Sequence, residues 1–171
     1  MFVARRSTKA VTWSRTMATK TSGSLAPPFT RETAHAKVKI AQNLWNTMNP
    51  SAVAQAYTED SIWRNRDQFL RGTKQIEEFL THKWATETNY KLRKELFTFS
   101  ETEIAVNFWY EWKDVRGQWY RTYGLEHWSF AQDGRMWKRQ MSGNDVEITE
   151  TSRWFTEGVD IESVEIGPEH F

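Results

Sequence analysis

The chain has 171 residues, of which 39% are hydrophobic and 15% aromatic, with ten tryptophans, so it has length and apolar surface enough for one domain with a real core. It has no cysteine, which excludes disulfides, thiolate metal sites and a cysteine nucleophile, and it lacks the ~18-residue apolar run of a membrane-spanning helix. The net charge of +1 is uneven: residues 1–31 hold six of the 23 basic residues and no acid, leaving 17 basic against 22 acidic beyond them, which argues against a dedicated nucleic-acid surface.

The chain opens on a segment rich in Arg, Ser and Thr, with Phe2, Val3, Arg5 and Arg6 able to start an amphipathic helix. That is the composition of a transit peptide, and equally of a plain basic tail. Met17 offers a second start, MATKTS, with a cytosolic character. The expected location is therefore mitochondrial or cytoplasmic. Residues 1–27 are set aside as a basic disordered tail or transit peptide, 28–155 are expected to form the folded domain, and 156–171 a C-terminal extension without clear pattern.

After Pro27 and Pro28, Thr30 with Thr33 three residues on marks a helix start. Ala34, Val38, Ala41, Leu44 and Trp45 then recur at helical spacing, and the helix should stop before Pro50. Ser51 can cap a short second helix to Tyr57, and residues 60–66 read as a short strand and turn. Gly72-Thr73 opens a third helix with Ile76, Phe79, Leu80 and Trp84 on one face. After residue 89 the period changes from 3.6 to 2, and four strand-like runs follow: 90–100, 103–114, 118–131 and 135–148. Gly117 and Asp133-Gly134 are hairpin signals between them. Three helices, a short strand and a four-strand meander predict an α+β domain.

That order, together with particular segments, resembles the nuclear transport factor 2-like superfamily, and within it an uncharacterised SnoaL-like branch. AYTEDSIWRNRDQFLRGTKQIEEFL (56–80) is similar to the family's segment in which an Asp opens the first strand and a Gly precedes the third helix. IAVNFWYEW (104–112) and YGLEHWSF (123–130) are similar to its central strands, and MSGNDV (141–146) to its last. The resemblance covers about residues 28–155. It implies a cone: a curved antiparallel sheet packed on three N-terminal helices, with a small-molecule pocket between them. Members include dehydratases, ketosteroid isomerases, polyketide cyclases, epoxide hydrolases and non-catalytic modules, so the fold implies where a site lies, not what it does.

Strand alternation then assigns faces. Ile104, Val106, Phe108, Tyr110 and Trp112 form the more apolar face of their run and should line the pocket. In the next run Tyr120, Thr122, Gly124, Glu126, Trp128 and Phe130 share that face. Glu126 among aromatics is costly unless paired or protonated. Desolvation raises such a carboxyl and suits it to general acid or base work. The other reading is an ion pair that only organises the core, with Arg64, Arg66, Arg93, Arg121 or Arg139 as partner. Trp63 and Asn65 are expected to face the pocket with Arg64 nearby, and Trp84, Trp112 and Trp128 to wall it. Asn144-Asp145 reads either as a rim pair with Asp145 as a base or as a turn after Gly143. Glu95 and Glu111 are expected to pair with Arg93 and Arg121 on the convex face. Trp109 and Trp119 on that face read as a partner surface, and the resemblance implies a homodimer through the sheet.

His35, His82, His127 and His170 show no metal-ligand spacing, and no metal or other cofactor is expected. No membrane or nucleic-acid partner is expected. The sequence thus describes a small-molecule pocket protein, read first as a cofactor-independent lyase, isomerase or hydrolase. Its catalytic candidates are Glu126 and Asp145, with Asn65, Tyr110 or an Arg holding an oxyanion. The alternative is a non-catalytic ligand-binding or dimerisation module.

Overall fold

The computed structural model describes residues 25–171, so the basic N-terminal segment and Met17 lie outside the described residues. Helix α1 spans Arg31–Asn46. Its start is the one the sequence announces: Thr33 N–H donates to Thr30 Oγ1 at 3.3 Å, and Thr30 N–H donates to Thr33 Oγ1 at 2.8 Å. Helix α2 is Pro50–Ala54, capped by Asn49 rather than by Ser51, because proline takes the first helical position and leaves the cap to the residue before it. Strand β1 (Tyr57–Asn65) turns through Arg66 into a short β2 (Gln68–Arg71), which the sequence does not announce. Arg66 takes φ +58, a conformation usually given to Gly or Asn, so the turn carries no recognisable signal. Helix α3 is Gly72–Thr86. Gly72 has φ +76, and a Cβ there would lie 2.8 Å from the Glu59 carbonyl oxygen. Strands β3 (Thr88–Phe99), β4 (Glu103–Lys113), β5 (Trp119–Phe130) and β6 (Met136–Ile148) follow.

These strands form one curved, unclosed sheet in the order β2-β1-β6-β5-β4-β3. The β3–β6 meander is antiparallel as expected, but β1 lies parallel to β6, so the sheet is mixed. The chain enters β1 from α2 at the end where β6 begins, with Tyr57 opposite Met136, so the two strands run the same way. The helices cover the concave face, where Ala34, Val38, Trp45, Ile76 and Leu80 bury against Trp63, Leu92, Val106, Phe108, Tyr110 and Trp128. The free edge of β3 is closed by α1. Asn46 exchanges two 2.8 Å hydrogen bonds with the Leu92 backbone, and Gln42 Oε1 accepts from Lys94 N–H at 2.8 Å. Side chains thus take the place of a seventh strand.

The C-terminal extension is a strap rather than a loose end. Residues 150–171 form three short 3₁₀ turns against the sheet. Glu111 pairs with Arg121 at 2.7 Å and also accepts the N–H groups of Trp154 (2.8 Å) and Phe155 (3.0 Å). Trp154 lies 3.4 Å over the Arg121 guanidinium, and Phe155 is fully buried. Arg93 bonds Glu95 and the carbonyl of Ile161. The strap corrects one expectation. Trp109 and Trp119 are not exposed: Trp109 donates to the His170 carbonyl and meets the Phe171 ring, while Arg153 covers Trp119. They therefore supply no bare surface for a second copy.

Candidate functional site

Alternation along β4, β5 and β6 turns one set of side chains toward the helices, and Glu126 is in it, 3% exposed. Its partners decide its chemistry. Glu126 Oε1 meets Arg139 Nη2 at 2.6 Å and Lys94 Nζ at 2.9 Å, and Oε2 accepts from Trp128 Nε1 at 2.5 Å. Asn65 Oδ1 accepts from Arg139 Nη1 at 3.1 Å. Aromatic rings close the group: Arg139 lies over Trp63 and Trp45, and Lys94 over Phe108 and Trp128. Burial pushes the Glu126 carboxyl up, but Arg139 and Lys94 outweigh it and hold the group down at about 2. Burial pushes Lys94 down to about 8. The expected raised carboxyl at Glu126 is therefore corrected: it is a permanent carboxylate with both oxygens engaged, and it organises the interior.

Toward one end of the same face a second set of charges reaches solvent. The Tyr110 hydroxyl lies 3.2 Å from Lys83 Nζ and 3.4 Å from Arg66 Nη2. Lys83 also donates to Glu87 in an i,i+4 pair. Arg66 binds Asp145 Oδ1 at 2.5 Å and the Gly143 carbonyl at 2.6 Å. Thr122 donates to Asp145 at 2.6 Å and accepts from Trp112 Nε1 at 3.1 Å. Tyr90 lies tilted against Tyr110, with ring centroids 4.9 Å apart, and Trp84 meets Tyr90 edge-on. The Glu87 side chain is 18% exposed and that of Asp145 34%. Burial pushes the Glu87 carboxyl above its ordinary value, against the pull of Lys83. A carboxyl that holds its proton longer, beside a phenol facing two cations, can exchange protons and receive negative charge.

The predicted residues thus separate. Asp145, Tyr110 and Trp112 join the solvent-reaching cluster, with Trp84 beside it. Glu126, Asn65, Trp63 and Trp128 belong to the buried ionic group. Arg64 and Asn144 point the other way: Arg64 donates to Ser142 Oγ at 3.1 Å on the convex face, and both line an open groove of about 560 Å³ there. Gly143-Asn144-Asp145 is regular strand, paired with Gly124, Tyr123 and Thr122, rather than a turn. Sequence reasoning missed Lys83, Glu87 and Thr122 as members of a site. The four-residue spacing of Lys83 and Glu87 was the available signal. Arg66 was expected either as a partner of Glu126 or, within the polar run 64–67, at the pocket mouth; it has a left-handed backbone and binds Asp145.

Residues 27–156 match the family described as "Protein of unknown function (DUF1348)", and the chain belongs to it. No curated protein matches the sequence. Solved structures share the fold at low identity. The BvnE pinacolase from Penicillium brevicompactum is 14% identical with TM-score 0.59, over 67% of this chain and 87% of that one. SalBIII, an epoxide hydrolase/cyclase-like enzyme of pyran ring formation in the polyether salinomycin, is 11% identical with TM-score 0.59, over 67% and 93%. An ntf2-like protein of unknown function from Burkholderia pseudomallei is 17% identical with TM-score 0.59, over 65% and 90%. These likenesses show the nuclear transport factor 2-like fold that the sequence resembles.

Proposed function

We propose that this member of the DUF1348 family is a cofactor-independent enzyme that moves a proton on a small, partly apolar organic molecule. The reaction is an isomerisation, dehydration or hydrolysis, at the cluster of Glu87, Lys83, Tyr110, Arg66 and Asp145. Glu87 carries the reading: burial raises its carboxyl while its side chain stays within reach of solvent. In this reading Glu87 gives or takes the proton. Tyr110, backed by Lys83 and Arg66, donates to the oxygen on which charge develops. Trp84, Tyr90 and Trp112 supply the apolar wall. That two solved structures with this fold carry the names pinacolase and epoxide hydrolase/cyclase-like enzyme is consistent with proton-moving chemistry.

A panel of epoxides, β-hydroxyketones and enolisable ketones tests the assignment. The full chain is expected to turn over at least one class, and Glu87→Gln to lower kcat by about 10²–10⁴-fold with unchanged circular dichroism. Full turnover in Glu87→Gln would remove Glu87 from the mechanism. The second reading, a non-catalytic ligand-binding module, draws on the closed pairing of Glu126. It predicts that panel compounds bind but are not converted.

A further inference from the structure

The outer face of the sheet edge β2-β1-β6 carries a groove of about 330 Å³, away from the cluster just described. Cross-strand register arranges its floor in two rows. Arg71, Ile62 and Lys138 stand side by side in one, and Phe69, Arg64 and Gln140 in the other. Apolar and cationic side chains therefore alternate along the first row, and a ring stands beside a guanidinium in the second. No carboxylate among the described residues lines the groove. Among the described residues neither Arg71 nor Lys138 is ion-paired. Arg64 donates to Ser142 Oγ and the Arg66 carbonyl, both neutral acceptors. Phe69 is 77% exposed, although it is a large apolar side chain on a strand of four residues.

These features select a ligand by charge and polarity. Two cations that flank an apolar floor, with neither in an ion pair, attract an anion, and an arginine holds a carboxylate in two parallel hydrogen bonds. Two strand spacings put the Arg71 and Lys138 backbones about 10 Å apart, within reach of one anion for two long side chains. The volume is at the low end for ligand sites, which fits a small acid with a short apolar part. We propose that this groove binds a soluble amphipathic carboxylate, its anion between Arg71 and Lys138 above Ile62 and its apolar part along Phe69. The site is independent of the Glu87 cluster, because Arg64 and Ile62 face away from Trp63 along the same strand.

Octanoate, octylammonium and octanol are the probes, titrated into the isotope-labelled full chain with amide chemical shifts as readout. Octanoate is expected to shift the amides of residues 62–71 and 138–140, and octylammonium to leave them in place. Arg71→Gln and Lys138→Gln, both at the surface, are each expected to weaken octanoate about tenfold, a single charge-assisted hydrogen bond. Phe69→Ala should weaken octanoate and leave acetate unaffected. Equal shifts from octanoate and octylammonium would overturn the proposal, as would unchanged octanoate binding in the Arg71→Gln, Lys138→Gln double variant. Binding to phosphatidylserine vesicles without any octanoate shift would also overturn it, in favour of a bilayer surface.

Discussion

Two glutamates, one on the concave face and one at the helix end beside it, have opposite chemistry, and their neighbours decide it. Glu126 lies opposite Val106 and Met141 in the register, and it is reached from both sides by cations on β3 and β6. The glycine at 124 makes this possible. A Cβ there would stand 2.0 Å from the Phe108 ring, so the bare backbone lets that ring lie down and Lys94 pass over it at 4.8 Å. Glu126→Gln leaves Lys94 and Arg139 buried without their counter-charge. It should cost about 3–5 kcal/mol in urea unfolding; a loss below ~1 kcal/mol would mean that the ionic group is not the organising centre. The inward direction of Glu126 was legible, since alternation fixes it. The direction of its pKa was not: the sequence offered five arginines as partners and did not single out Arg139, and it gave no hint of Lys94, which lies 32 positions away.

At the level of strands and helices, legibility followed periodicity. The change from a 3.6 to a 2 repeat after residue 89 located α3 and the meander to within a few residues. β2 was invisible because four residues carry no period and Arg66 is an unusual turn residue. The strap was invisible for a related reason: it is held by single contacts, not by a repeating face. Phe155 and the two N–H groups bound by Glu111 are its anchor. Phe155→Ala should destabilise the protein by about 3–5 kcal/mol. The effect belongs to the strap, so amide exchange in residues 150–171 should accelerate more than in β4 and β5. Equal acceleration throughout would show that strap and sheet unfold as one unit.

Across the whole molecule the proposed site is assembled from the β1–β2 turn, α3, β4, β5 and β6, and this is why it was only half legible. Tyr110 and Trp112 were found by strand alternation, and Asp145 by its place near the end of the last strand. Lys83 and Glu87 sit where helix gives way to strand, and only the packed fold brings them beside Tyr110. The sheet turns its charged groups into two compartments, one sealed by tryptophans and one open to solvent, and the account assigns the chemistry to the open one. Carboxyl carbon NMR across a pH titration compares the two acids in one experiment, without knowledge of a substrate. The account predicts that Glu87 keeps its proton to a pH above 4.5, while Glu126 stays ionised down to about 2. A Glu87 midpoint at or below 4.5 would contradict it, because the open compartment would then hold no acid tuned to move a proton.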